Sequence, residues 1–196
     1  MKMQLDIHRV NAFSDGVFAI IITIMVLDLK RPAVPTFHAL WELWPVWLAY
    51  TVSYLFLAIV WVNHHFLTAF ASHATTRLIW ANFGHLFSVA LIPFLTAWIA
   101  ESRLAPCPVA MYGFIFFLVN LTYLILIYET LCAGTEDRIW TRTQRLVLFR
   151  SLTTLVLFLV ATVLAVWFPY AGFAIICGCL LLYLRPGVDH LQTFNT

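Results

Sequence analysis

The stretch R-V-N-A-F-S-D-G-V-F-A-I-I-I-T-I-M-V-L-D-L runs from Arg9 to Leu29 and decides how the rest of the chain is read. From about Asn11 to Leu29 it is long and apolar enough to cross a bilayer as a helix. Its polar groups are unevenly placed. Arg9, Ser14 and Asp15 crowd the entry, and a single threonine, Thr23, then sits among isoleucines and leucines. Ile20, Thr23, Ile24 and Leu27 are separated by helical spacings, so they form one stripe about 10 Å long on the axis. Two arrangements suit that stripe. It can pack on another helix of the same chain, with Thr23 bonding to a carbonyl one turn back. Alternatively it can face copies of itself around a symmetry axis. Rings of isoleucine and leucine would then narrow a path and close it by dewetting, and threonine hydroxyls would partly replace an ion's water shell. No carboxylate lies on the stripe. Asp28 and Glu42, beyond its far end, are the candidates for an outer mouth, and Asp28 can equally be a solvated surface group.

Composition agrees with a membrane setting. The chain is 63% hydrophobic and 10% charged, against roughly 25% charged residues in a soluble domain. This is the balance of an all-α polytopic membrane protein, read as a single domain over residues 1–196 in contact with membrane lipids. A net charge of +2, with cations scattered between apolar runs, gives no basis for a nucleic-acid partner. No cleavable signal pattern is read at the amino terminus. Cys107, Cys132, Cys177 and Cys179 fall in no metal or redox spacing and read as small apolar packing residues.

Six spans are expected. After the first come about Leu43–Leu67, with Pro45 in its first turn, then Leu78–Ile99, carrying Pro93. The fourth opens at Pro106 and Pro108 and runs to Leu131. The fifth is Leu146–Phe168. The sixth, Tyr170–Leu184, has only fifteen residues, short of the ~20 that a crossing needs, and a re-entrant hairpin competes with it. With six spans, Lys2, Arg9, Arg77, Arg138, Arg142, Arg145, Arg150 and Arg185 share one side, and Lys30, Arg31 and Arg103 lie on the other. The positive-inside rule then places both termini in the cytoplasm. Tryptophans 41, 44, 47, 80, 98, 140 and 167 fall near expected span ends, as interfacial anchors do.

Charged groups inside a span are costly and usually paired. Arg9 and Asp15 are six positions apart and lie on different helix faces, so Asp15 needs a partner from elsewhere. The run Trp61-Val62-Asn63-His64-His65 ends the second span on the same side of the membrane. A network of Arg9, Ser14, Asp15, Asn63, His64 and His65 is therefore expected to hold the first helix against the second. The plainer alternative is that Ser14 and Asp15 only cap the helix. Adjacent histidines point about 100° apart and make a poor metal pair, so no metal site is expected. Histidine titration near neutrality leaves a proton-sensing role open. Asn82, Ser88, Asn120, Thr122, Thr153, Thr154 and Thr162 read as glue between helices, and Glu129 as a partner for the basic segment between spans four and five. No nucleophile, base, phosphate loop or zinc-protease spacing is present, and no T-V-G-Y-G filter, so neither an enzyme nor a cofactor is expected.

Arg9, Phe13, Ser14 and Asp15 fill an R-x-x-x-F-S-D pattern that resembles the signature of the transmembrane protein 175 family of potassium channels. The W-x-x-H-H run at Trp61–His65 and the six-span layout extend the resemblance over essentially the whole chain. Prokaryotic members of that family are homotetramers in which each subunit gives its first helix to a central pore. The resemblance implies the same here, in a prokaryotic inner membrane. It implies a constriction at Ile20, a threonine layer with potassium nearby at Thr23, an apolar ring at Leu27, and modest preference for potassium over sodium. It also implies a network joining Arg9 and Asp15 to Trp61 and His65 of neighbouring helices. An ion-coupled secondary transporter, to which Pro93 could contribute a broken helix, and a proton-conducting protein are the rival readings.

Overall fold

A computed structural model describes residues 6–71, 73–132 and 142–184. Asp6 starts the first helix, its carboxylate accepting from the His8 amide, and α1 runs Ile7–Leu27. At 21 residues it is about 31 Å long. The helix begins some four residues before the expected Asn11. Its cap is Asp6, so Ser14 and Asp15, two turns inside, do not serve that purpose. A short helix not foreseen from the sequence, α2 (Phe37–Glu42), follows Pro35 and is capped by Thr36. Then α3 (Trp44–Thr68) begins with Pro45 in its first turn, where a missing amide hydrogen costs least.

The third span is two helices. α4 (Thr76–Ala90), capped by the Thr75 hydroxyl, stops at Leu91, and α5 (Ile92–Glu101) resumes with Pro93 in its first turn. Proline cannot donate to the carbonyl four residues earlier, which explains the break. The chain then turns through Arg103 and Leu104, both left-handed at φ 51° and 66°. Their amides bond back to Ala100 and Ile99, closing the end of α5 without a glycine. α6 (Pro106–Cys132), α7 (Arg142–Ala165) and α8 (Pro169–Leu184) complete the fold. The five spans built from α1, α3, α4–α5, α6 and α7 are each long and apolar enough to cross a bilayer. α8, at 16 residues, reaches only about 24 Å.

α1 leans on α3, α4 and α5, and α6 packs between α4 and α7. At the centre Phe56 and Phe116 stack at 3.7 Å, and Phe158 meets both edge-on. α8 returns against α7 so closely that a Cβ on Gly172 would lie 2.7 Å from Ala165 Cβ and 2.8 Å from the Ala161 carbonyl. A buried chain of hydroxyls (Tyr112, Ser53 and Thr96, 2.5 and 2.6 Å apart) ends on the Ile92 carbonyl and so fixes α3 and α6 against the broken span. Trp41, Trp80 and Trp167 are well exposed near helix ends, as interfacial rings are. Trp140, Arg138 and Arg185 lie outside the described residues, as does most of the basic segment expected to meet Glu129.

Candidate pore wall and its polar anchor

α1 has two faces of opposite character. Ser14, Phe18, Ile21 and Met25, at spacings of four, three and four, are buried against the rest of the subunit. Turned away from them, Ile20, Thr23, Ile24 and Leu27 are exposed, Leu27 at 81%. The same period carries the uncovered face back through Gly16 and Phe13 to Arg9. Nothing lies within 4 Å of a Cβ placed on Gly16.

Thr23 donates its hydroxyl hydrogen to the Ala19 and Ile20 carbonyls, both at 2.9 Å. That is the local bond a threonine makes in any apolar helix. It has a chemical consequence nonetheless: with the hydrogen spent on its own backbone, the oxygen keeps lone pairs for another partner. Asp28 is the C-cap of α1, exposed just past Leu27. Glu42 is on α2, with His38 Nδ1 at 3.7 Å. Between them in sequence, Lys30 pairs with Glu101 at the end of α5. The hydrogen bond to Glu101, with its negative charge, raises the lysine above its ordinary value.

At the other end α1 is anchored by polar side chains. The Ser14 hydroxyl donates to the Val10 carbonyl at 2.9 Å and receives the Asn82 amide at 3.0 Å. With its amide nitrogen committed, Asn82 offers Oδ1, which lies 2.7 Å from His64 Nε2. His64 therefore carries its hydrogen on Nε2. All three side chains are buried, so α1, α4 and α3 are joined by a chain in which each donor meets an acceptor. Beside it, Trp61 Nε1 donates to Asp15 Oδ1 at 2.9 Å, and the His65 ring lies 5.9 Å from Trp61. Phe13 packs on Phe83, with ring centroids 5.4 Å apart.

Six of the residues singled out in sequence thus meet around the start of α1: Phe13, Ser14, Asp15, Trp61, His64 and His65. Asn63 is present through its backbone, its carbonyl accepting from Tyr123 at 3.3 Å. Arg9 stands apart: it is exposed, and no ion pair joins it to another described residue. The hub of the buried chain is Asn82, which sequence reasoning placed only among general helix glue. An asparagine in an apolar run signals that a partner exists, but nothing in its spacing says which helix supplies it. Among the described residues no group of three histidines, cysteines or carboxylates could hold a metal ion.

Comparison with known proteins places these residues in context. The sequence profile of the family described as endosomal/lysosomal potassium channel TMEM175 matches residues 9–93, from the start of α1 to the break in the third span. A potassium channel of Chryseobacterium sp. (strain P1-3) is 33% identical over 91% of this chain and 92% of its own. The endosomal/lysosomal proton channel TMEM175 of Gallus gallus is 34% identical over 52% of this chain and 23% of its own. The fold is similar to the crystal structure of a lysosomal potassium-selective channel TMEM175 homolog from Chamaesiphon minutus. There the TM-score is 0.79 at 26% identity, over 91% of this chain and 96% of that one.

Proposed function

The chain belongs to the TMEM175 family of channels, and from that membership we propose that it conducts potassium passively through a pore lined by α1. Four copies form a closed ring, each giving one first helix to the axis. The observation that carries this reading is the uncovered stripe of Ile20, Thr23, Ile24 and Leu27. It lies on the face of α1 opposite the one that Ser14, Phe18, Ile21 and Met25 bury. Ile20 is the tightest ring and closes by excluding water. Thr23, its hydroxyl hydrogen already committed, offers oxygen to a partly dehydrated potassium ion, giving modest preference over sodium. Leu27 forms a further apolar ring, and Asp28 and Glu42 raise cation concentration at the outer mouth. The assembly sits in a prokaryotic inner membrane with both termini cytoplasmic, and needs no cofactor beyond the ion it passes.

A second reading has specific support: the vertebrate relatives are named proton channels, and Asp15 and His65 are titratable groups near the start of the same helix. Purified protein in vesicles separates the two. A potassium gradient should drive flux that needs no second solute, and the reconstituted particle should have fourfold symmetry with α1 central. Proton flux without potassium flux would favour the second reading. Saturating uptake that stops on removal of a second ion would make the protein a transporter. Helices α1 found at a lipid-coated rim would overturn the pore.

A further inference from the structure

His85 is fully buried on α4, behind the chain that anchors α1. Its Nδ1 lies 3.1 Å from the Thr122 hydroxyl. That hydroxyl donates to the Leu118 and Val119 carbonyls, so its oxygen receives and Nδ1 carries the imidazole hydrogen. Nε2 is consequently a bare acceptor, and it has no partner. The neighbouring His64 ring lies nearly parallel to it, with centroids 6.0 Å apart and a 7° tilt. An unmade hydrogen bond on a buried nitrogen destabilises the fold, because the group has lost its water partner and gained none.

His85 also lines a cavity of about 30 Å³ between α3, α4, α6 and α7. A single water needs only about 10–15 Å³ of such space, together with two to four polar partners. Most of the wall is apolar, from Phe56, Val60, Val119 and Phe158, but Asn63 and Asn120 line it too. Asn120 spends its amide nitrogen on the Ser151 carbonyl and the Thr154 hydroxyl, at 3.0 and 2.7 Å, which leaves Oδ1 to accept. The Asn63 side chain can donate.

We propose that this cavity is a water site, in which one ordered water donates to His85 Nε2 and Asn120 Oδ1 and accepts from the Asn63 amide. Each hydrogen and lone pair in that arrangement has a use. The water does more than satisfy one nitrogen: it links α3 and α4, which hold the pore helix, to the Asn120–Thr154 contact that holds α7. The subunit interior then carries hydrogen bonds from α1 side to α7 side through a molecule that is exchangeable. The site is separate from the proposed conduction path, which lies on the opposite face of α1.

A density map of the intact assembly, fine enough to resolve ordered waters, is the direct test. It should place a peak about 2.7–3.2 Å from Nε2. An empty cavity, or a ring whose Nε2 meets a protein donor instead, overturns the proposal. A double-mutant cycle read by thermal melting gives an independent check. Val119→Ile adds a methyl group that competes with the water and strands Nε2, so it should lower the melting temperature by a few degrees. In a His85→Leu background, which has nothing to strand, the same methyl should leave the melting temperature unchanged or raise it. Equal shifts in both backgrounds, in either direction, would mean an empty or merely tight cavity and would overturn the water site. If His85→Leu does not assemble, the map alone decides.

Discussion

α1 and α7 are alike in the properties most often used to recognise a lipid-facing helix. Each is apolar, and in each only 22% of the spanning window is buried within the subunit. Each even carries an exposed threonine that bonds back to its own helix, Thr23 to Ala19 and Thr153 to Phe149. Burial and hydropathy therefore do not by themselves separate the proposed pore wall from a face turned to lipid. What separates them is how each helix is held and what stands at its ends. α7 is tied to α6 by the buried Asn120 amide, which donates to Ser151 and Thr154, and is also gripped by close backbone approach: Gly113 of α6 fits under Thr162, and Gly172 of α8 fits under Ala165. Arg145 and Arg150 stand at its start. α1 has no such grip. It is held by Ser14, Asn82 and His64 and by the Asp15–Trp61 bond at one end, and by the Lys30–Glu101 pair just past the other. Side-chain hydrogen bonds fix a helix's rotation while letting its opposite face stay bare.

The strongest way to break this comparison is to wet both faces equally. In the proposed pore Ile20→Asn should raise potassium flux in vesicles several-fold, because a polar ring at the proposed constriction would remove a dewetting barrier. Val160→Asn, on the exposed face of α7, should leave flux unchanged if that face meets lipid, as the proposed arrangement requires. Equal responses at both positions would erase the distinction between the helices.

The anchor can be cut without touching the stripe. Asn82→Leu strands His64 Nε2 and removes the donor to Ser14. It should destabilise the fold by about 1–3 kcal/mol, the cost of leaving buried groups unpaired. Interhelical hydrogen bonds inside membranes are usually worth less, near 0.6 kcal/mol, because the separated helices also find partners. A melting shift that small would mean α1 is held mainly by Phe18, Ile21 and Met25.

Two glycine substitutions probe the grip. Gly172→Ala would drive its new methyl into Ala165 and the Ala161 carbonyl, forcing α8 away from α7 at a cost of about 1–3 kcal/mol. Gly16→Ala meets nothing within the subunit and should stabilise α1 by roughly 0.5–1 kcal/mol. Thermal melting of the two variants checks the sign of each. A loss at Gly16 as large as at Gly172 would place a tight contact there that the subunit alone does not contain.

Much of this was legible in the sequence, and the boundary of legibility is physical. Runs of apolar residues fix where helices cross, so the first five spans fell within a few residues of their places. The stripe on α1 followed from period alone, although period could not say whether it would be covered. Pro93 left a break in the third span open as a possibility, and Thr36 after Pro35 was a usable but unused signal for α2. Partnerships across helices were harder. Position brought Asp15 to the Trp61–His65 run, since both lie near the same end of adjacent spans, and the family resemblance singled out Trp61 within that run. Asn82 could not, because its partners Ser14 and His64 come from two helices whose relative rotation depends on the whole core. The Ser53–Thr96–Tyr112 chain escaped notice for the same reason: hydroxyls are common in membrane helices, and their spacing carries no sign of which ones converge. Arg9 shows the converse. Its place in the motif suggested a partner nearby, but it stands exposed at the entry of the uncovered face, with no ion pair to another described residue.

The threonines give the smallest expected effect and the sharpest comparison. Thr23 and Thr153 share residue type, exposure and a hydrogen bond to the carbonyl four residues back at 2.9 Å, so local structure offers no reason for them to behave differently. In each, the hydroxyl hydrogen is spent and the oxygen is left facing outward. Around an axis, four such oxygens at one level could share a potassium ion's lost hydration; against lipid, a lone oxygen does nothing for an ion. Thr23→Ala should therefore move the potassium-to-sodium permeability ratio by a small factor while oligomer size and melting stay as they were. Thr153→Ala should move none of the three. Reversal potentials measured under mixed potassium and sodium conditions give the ratio directly. If both substitutions left it untouched, preference for potassium would have to arise away from the hydroxyl layer, at the apolar rings or the acidic mouth. A shift from Thr153→Ala would put α7 on the conduction path instead.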